Sequence, residues 1–128
     1  MQKQIREELA KVSKASLEIK ERGILNFWIY VAYESGFSQG VGGICLDEFD
    51  NALNRRIGTA YGCEMIRQIL LLFNVNDFSE IKDKYVVVLG EGSGSSFRPI
   101  GIRALRVDNP KSPAIIFDDV LKMFEDRR

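Results

Sequence analysis

Histidine is missing from this chain of 128 residues, and cysteine, tryptophan and proline are scarce. Histidine is the commonest general base near neutral pH and the commonest metal ligand, so its absence argues against both kinds of site. Cys45 and Cys63 form no CxxC motif, and each lies in an apolar stretch where a small core residue is expected. No nucleophile–base pair is evident. The sequence therefore predicts no metal, no cofactor and no enzymatic activity.

Net charge is absent as well, since 18 Lys and Arg residues balance 18 Asp and Glu residues. A neutral chain has no overall field that would draw it to DNA or to an anionic membrane. The opening stretch, MQKQIREELAKVSK, has no apolar signal-peptide core, and no apolar run approaches the ~20 residues needed to span a bilayer. We expect no DNA partner, no membrane partner and a reducing, cytoplasmic location.

The pattern of apolar residues predicts one α+β domain over residues 1–128. Ile5, Leu9 and Val12 recur at helical spacing, which predicts an N-terminal helix over 1–13 that docks on another subunit through its narrow stripe. Residues 14–128 are predicted to form an α+β core. In it, an antiparallel sheet of about five to six strands packs against one main helix, and a short C-terminal helix follows.

The elements of that core can be placed along the chain. The segments ASLEIKE, ILNFWIYVAY and GICLD read as three consecutive strands of an antiparallel meander. Residues 47–58 are expected to form a charged loop, and Thr59 to cap the main helix, AYGCEMIRQILLLF. The strands KYVVVLG and RPIGIRALRV come after this helix. In the helix itself, Gly62 costs ~1 kcal/mol relative to alanine, which predicts a close packing or ligand contact.

Glycine is concentrated in the stretch SGFSQGVGGICLDEF, residues 35–49. Gly40, Gly42 and Gly43 fall inside a predicted strand, where glycine has no side chain to pack and loses more backbone entropy. Two interpretations stay open. Either the sheet bends around the helix at this point, or a ligand or partner comes close to the backbone.

A second glycine-rich stretch, VVVLGEGSGSS, resembles a phosphate-binding loop only superficially. A Rossmann or Walker site needs a helix next, whose N-terminus meets the phosphate. FRPIGIRAL follows instead and reads as a strand, so a hairpin loop is the better interpretation. A flap over a ligand is the less favoured alternative.

The stretch NRRIGTAYG predicts an anion site. Arg55 and Arg56 precede a helix that is expected to begin at Thr59, and the first amides of a helix are unpaired donors near a positive dipole end. Guanidinium groups bind phosphate oxygens two at a time. The alternative is two solvated loop arginines.

Further charged residues lie in the C-terminal third. Arg103 and Arg106 are an odd number of residues apart, so on a regular strand they face opposite sides of the sheet. For each of them, and for Arg98, a surface role on an edge strand is the plainer interpretation. Asp118 and Asp119 precede a predicted helix, where carboxylates usually cap the first turn.

The segments GIL, SQGVGGICLD, RIGTAYGCEMIRQIL and KDKYVVV occur in this order. Together, over residues 14–106, they resemble a family of small bacteriophage proteins, the Thoeris anti-defence sponge family of the first-described type. The most specific part is QGVGGICLD followed by GTAYGCE. Ile44 departs from the family pattern, in which the position after VGG is often aromatic, so ring stacking is not expected there.

The resemblance implies a phage protein that acts in the host cytoplasm and binds cyclic ADP-ribose isomers made by bacterial TIR-domain enzymes, without catalysis. Some members of the family also hold cyclic trinucleotides of the CBASS system. It further implies a homodimer that can assemble into a hexamer, with pockets at the dimer edge where arginines meet phosphates and aromatics meet the base. On this chain, those roles fall to Arg56 with Gly58 and Thr59 of the GTAYG segment and, by residue type alone, to Phe97, Arg103, Arg106 and Asp119. The alternative hypothesis is a phage accessory module that binds another protein and no small molecule.

Overall fold

The computed structural model of the protein describes residues 4–105 and 112–125. Within these ranges the chain forms eight strands and two α-helices. In chain order these are β1 (Arg6–Ile19), β2 (Leu25–Tyr33), β3 (Ser38–Cys45), β4 (Asp47–Asp50), β5 (Arg55–Gly58), α1 (Ala60–Phe73), β6 (Tyr85–Glu91), β7 (Arg98–Ala104), β8 (Ala114–Ile116) and α2 (Phe117–Lys122). None of the helices in the described ranges is long and apolar enough to cross a membrane.

One antiparallel sheet of six strands dominates the fold, in the order β3-β2-β1-β6-β7-β8, while β4 and β5 form a separate hairpin. The predicted α+β class and antiparallel sheet of about five to six strands are therefore confirmed, as is the meander of β1, β2 and β3. The segment 47–58, predicted as a charged loop, instead forms the β4–β5 hairpin. The stretch between β6 and β7 is a hairpin loop with one 3-10 turn, as predicted.

The predicted N-terminal helix is wrong, because residues 6–19 form the long strand β1. β1 lies in the middle of the sheet and pairs with β2 on one side and β6 on the other. Ala10 and Val12 alternate into the core, whereas Ile5 and Leu9 are about half exposed. The helical spacing of Ile5, Leu9 and Val12 is therefore accidental, because only Val12 belongs to the core. Pairing on both edges outweighs the good helix propensity of the Glu, Ala and Lys residues in this segment.

The glycines of β3 make room for aromatic rings of the neighbouring strand. A Cβ at Gly40 would lie 2.9 Å from the Trp28 ring, one at Gly43 would overlap the same ring, and one at Gly42 would overlap Phe27. Gly42 and Gly43 also have positive φ angles, and the β2–β3 register shifts beside them. A β-bulge of this kind bends a strand and increases its twist. The bulge supports the sheet-bending interpretation, and the space left by the missing side chains is filled by the protein's own rings; the approach of a ligand or partner stays a prediction.

The core lies between one face of the sheet, here called the core face, and the two helices. Its fully buried side chains come from β1, β2, β3, β6, β7 and α1, and include Val12, Phe27, Ile29, Val31, Val41, Met65, Ile69, Val86, Val88 and Ile102. The opposite side of the sheet is called the outer face below. Gly62 packs against the chain just before β4, where any Cβ would overlap the Leu46 carbonyl oxygen, and this explains a glycine inside α1. Cys45 and Cys63 are both exposed, so their predicted core positions are wrong.

The sheet coils enough to bring its two halves together at one end. Gln39 at the start of β3 donates a hydrogen bond from Nε2 to the carbonyl oxygen of Phe97, just before β7, at 2.9 Å. In the strand order, β2, β1 and β6 lie between these two elements. The contact therefore closes one end of the sheet into a half-barrel. Its open mouth is formed by the β2–β3 turn, the β6–β7 loop and the first part of β1.

Candidate functional site

Arg56, the centre of the predicted anion site, is held by a carboxylate. Its Nε donates to Asp47 Oδ2 at 3.0 Å and its Nη2 to Asp47 Oδ1 at 2.8 Å, which makes a two-pronged pair across the β4–β5 hairpin. Nη2 also lies 3.3 Å from the sulfur of Cys45. The side chains of Arg56 and Asp47 are 25% and 8% exposed. The fork that would bind a phosphate is already engaged.

Asp47 is the residue that sequence reasoning missed at this position. Hydrogen bonding from Arg56 lowers the pKa of Asp47 from 3.8 to about 2, against the opposing effect of burial. Withdrawing Arg56 toward a phosphate would leave this carboxylate buried and unpaired, which is costly. The signal was available, because DEFD and RRIG carry opposite charges on the two arms of a possible hairpin.

Thr59 is the N-cap of α1, as predicted, and Gly58 is the last residue of β5. Its Oγ1 accepts a hydrogen bond from the amide of Gly62 at 3.0 Å and donates to the Leu46 carbonyl oxygen at 2.6 Å. Both bonds of the hydroxyl are therefore used to start the helix and to fix it against the chain before β4. Gly58 is exposed, with open space where a Cβ would lie.

The remaining polar candidates lie apart from this cluster. Arg103 is on the outer face, where its Nε donates to Glu7 at 2.9 Å and its Nη1 to Ser112 at 3.2 Å. Asp119 is an exposed residue in the first turn of α2, whose N-cap position is Ile116 without a side-chain cap. Arg106 lies outside the described residues.

Phe97 lies at the mouth of the half-barrel, beside a cleft of about 400 Å³. The cleft is lined by Glu8, Tyr33, Ser35, Phe37, Gly94, Ser95 and Phe97. These residues come from three segments, which the pairing of β1 with β2 and β6 and the contact between Gln39 and Phe97 bring together. This group is called the mouth cleft below.

Three aromatic rings build the wall of the mouth cleft. Tyr33 and Phe37 are nearly parallel, with centroids 6.1 Å apart and planes 9° apart. Phe97 meets Tyr33 edge to face, at 6.1 Å and 89°. Phe97 is buried and fixed, whereas Phe37 is 46% exposed on the β2–β3 turn. A flat ring that enters the cleft would therefore contact aromatic surface, with the buried Phe97 on one side and the accessible Phe37 on the other.

The polar groups of the mouth cleft favour a ligand with hydrogen-bond donors over an anion. Burial, and then the charge of Glu8, raise the pKa of Tyr33 to about 12, so Tyr33 stays a neutral phenol. Its hydroxyl donates to Gln39 Oε1 at 2.6 Å and is thereby oriented. Glu8 is the one charged group among the described lining residues. Its carboxylate is an acceptor, with Arg6 Nη2 3.6 Å from one oxygen, and would repel a phosphate placed next to it.

The structure does not bring the predicted site residues together. Cys45, next to Arg56, and Gln39, next to Phe97, are six residues apart on β3, which corresponds to roughly 20 Å along a strand. Of the predicted set, only Phe97 belongs to the mouth cleft. Sequence reasoning missed Tyr33, Phe37 and Glu8; the signal for the first two was the pair of aromatics flanking the turn in AYESGF.

No family model, curated protein or solved structure matches this chain in comparisons with known proteins. Within the described ranges, no three Cys, Asp or Glu side chains are grouped as metal ligands. The described part of the chain is therefore an α+β domain with an aromatic cleft of ligand size that one carboxylate lines.

Proposed function

We propose that this protein is a phage-encoded sponge, which sequesters a cyclic nucleotide signal such as a cyclic ADP-ribose isomer without catalysis. In this proposal the mouth cleft receives the base, and the protein acts as a homodimer, or a hexamer built from it, in the host cytoplasm. The observation that carries the proposal is the wall of Tyr33, Phe37 and Phe97 around a space of about 400 Å³. That volume falls within the range of small-molecule pockets, and aromatic rings stack on nucleobases.

Charge sets the orientation of the bound nucleotide. The amino group of adenine is a hydrogen-bond donor, which the Glu8 carboxylate can accept. A diphosphate in the same place would meet Glu8 as a like charge. The base therefore enters the cleft, and the phosphates remain at its rim, where the hydroxyl groups of Ser35 and Ser95 are available as donors.

Binding without turnover is part of the proposal and rests on the sequence. The chain has no histidine, and a protein that only binds gains from tight contacts with the ground state of its ligand. Captured signal should then be recovered unchanged. Chromatography of the supernatant after heat denaturation of the complex tests this, and linear ADP-ribose that grows with incubation time would make the protein an enzyme.

The site is tested by isothermal titration calorimetry with cyclic ADP-ribose and its isomers. Phe37→Ala should weaken binding about tenfold, because one stacking surface is lost. Phe49→Ala is the matched control, since Phe49 is a phenylalanine of similar exposure on β4: 51% against 46% for Phe37. Equal affinities for both variants and the native protein would place binding elsewhere. No binding of any cyclic nucleotide would favour the alternative, a phage accessory module that binds another protein.

A further inference from the structure

The outer face of the sheet carries a second aromatic group, which the mouth cleft does not use. Trp28 and Tyr30 follow one another on this face of β2, stacked at 5.9 Å with planes 19° apart. Tyr85 of β6 is on the same face and is 55% exposed. The Trp28 ring spans Gly40 and Gly43 of β3, so backbone without side chains supports one side of the indole.

Two lysines of β1 lie between these rings. Lys14 pairs with Tyr30 across the sheet, and its Nζ lies 5.8 Å from the centroid of that ring. Lys11 pairs with Tyr85, and its Nζ lies 5.9 Å from the Tyr85 centroid. Tyr30 and Tyr85 thus each have a lysine ammonium within 6 Å of the ring centroid.

The two lysines of this surface form no close ion pair, although Lys14 lies near enough to Glu18 to influence it by charge. Neither Lys11 nor Lys14 forms an ion pair with any residue of the described ranges. The nearby carboxylates of the outer face are already occupied, Glu7 by Arg103 at 2.9 Å and Glu18 by Lys20 at 2.8 Å. Although the whole chain is neutral, this patch carries two lysines without a close ion pair, beside two half-buried rings, Trp28 and Tyr30, and one exposed ring, Tyr85.

We propose that this surface, formed by Lys11, Lys14, Trp28, Tyr30 and Tyr85, binds single-stranded nucleic acid. Bases stack on aromatic side chains and the phosphate backbone meets cations, which is how sequence-tolerant single-strand binding works. Tyr30 and Tyr85 are separated by two strand spacings and a two-residue offset, about 12 Å in all. Two bases of one strand that are separated by a further nucleotide can therefore contact both rings while the lysines between them meet phosphates.

A single strand fits this surface better than a duplex does. The rings lie on a sheet face, and the bases of a duplex are stacked on one another and cannot also stack on tyrosine or tryptophan. A protein partner would exploit the apolar area but would leave the two lysines to be neutralised by its own acidic groups. Charge complementarity with a polyanion and base-sized stacking surfaces together favour the nucleic acid.

Trp28 is the only tryptophan of the chain, so its fluorescence reports on the proposed surface directly. Titration with ten-nucleotide oligo(dT) and oligo(U) should quench it, and a ten-base-pair duplex should not. Anisotropy of a labelled oligonucleotide gives the affinity at several salt concentrations. Each lysine that contacts a phosphate contributes about −0.7 to the slope of log affinity against log salt, so the two lysines predict a slope of about −1.4.

Lys14→Ala should halve that slope, whereas Lys82→Ala, which removes an exposed lysine beside a 3-10 turn, should leave it unchanged. Tyr30→Leu keeps apolar volume but removes a stacking face, and should weaken binding about tenfold. A difference between oligo(dT) and oligo(U) would identify DNA or RNA as the preferred strand. Three results would overturn the proposal: no quenching of Trp28, binding of the duplex as tight as that of the single strand, or native affinity in both the Lys14 and Tyr30 variants. Phe37→Ala, which changes the mouth cleft alone, should bind the oligonucleotide with native affinity.

Discussion

The pair of Arg56 and Asp47 is expected to be a main electrostatic contribution to stability, and Arg56→Ala tests it. Removing the guanidinium leaves the Asp47 carboxylate, 8% exposed, without its two-pronged partner. Breaking a buried pair by removing one partner costs about 3–5 kcal/mol. Because Arg56 itself is a quarter exposed, water can partly replace it, and we expect a loss near the lower end, about 3 kcal/mol, at pH 7.

The pH dependence of this loss has a definite sign. The pKa of Asp47 is lowered from 3.8 to about 2 in the folded protein, which corresponds to about 2 kcal/mol of stability. Because the folded value lies below the unfolded one, this stabilisation is present above about pH 5 and is lost as the pH falls toward 2. In Arg56→Ala the carboxylate becomes easier to protonate, so the difference from the native protein should shrink to about 1 kcal/mol at pH 3.

The assay is urea-induced unfolding, followed by Trp28 fluorescence at pH 7 and pH 3. Arg55→Ala is the control, because Arg55 is an exposed arginine of the same strand. We expect this control to stay within about 0.5 kcal/mol of the native protein. If Arg56→Ala also changes the free energy of unfolding by less than about 0.5 kcal/mol at pH 7, Arg56 adds little to stability. The interpretation of Arg56 as a free phosphate ligand would then be favoured again.

Two further variants test the packing of the fold. Gly62→Ala should destabilise the protein by about 2 kcal/mol or more in thermal unfolding, because the new Cβ overlaps the Leu46 carbonyl oxygen. The loss is expected although alanine is the better helix former. Gly58→Ala is the control and should change the stability little, because a Cβ there meets open space. Deletion of residues 1–12 should abolish cooperative unfolding, because it removes the half of β1 that pairs with β6. A truncated protein that still unfolds cooperatively would show that this half of the central strand is dispensable.

The elements that the sequence predicted correctly are those whose pattern of apolar residues fits only one type of secondary structure. β2 is apolar on both faces, α1 repeats its apolar residues at helical spacing behind the Thr59 cap, and the glycine–serine loop between β6 and β7 is flanked by strand patterns. For these, local pattern and tertiary environment agree. The correct α+β class followed from them.

The prediction for the first strand was wrong because its pattern of apolar residues fits both a helix and a strand. Ile5, Leu9 and Val12 fit one stripe of a helix, and Ala10 and Val12 fit one face of a strand. Charged residues with good helix propensity favour the first solution. The decisive facts are the two neighbouring strands, which pair with β1 on both edges and come from residues 25–33 and 85–91. No local pattern contains that information.

The candidate site was harder to predict than the fold for a related reason. Phe97 was chosen by residue type, but Glu8, Tyr33 and Phe37 become its neighbours only when β1 pairs with both β2 and β6 and Gln39 reaches Phe97. Conversely, Arg56 was read as a free cation because its partner Asp47 lay in a segment predicted to be a loop. A hairpin in place of that loop changes Arg56 from a candidate ligand contact to a structural residue.

The two proposed surfaces can be separated experimentally because they lie on opposite faces of the sheet and differ in charge. Tyr33 pairs with Ala10 and faces the core side, whereas Tyr30 pairs with Lys14 and faces outward. Glu8 makes the mouth cleft unfavourable for phosphate, and Lys11 and Lys14 make the outer face favourable for it. A nucleotide that binds by its base and a strand that binds by its backbone are thus directed to different places. Phe37→Ala should therefore impair only the first activity and Lys14→Ala only the second, and a variant that impaired both would require one shared site.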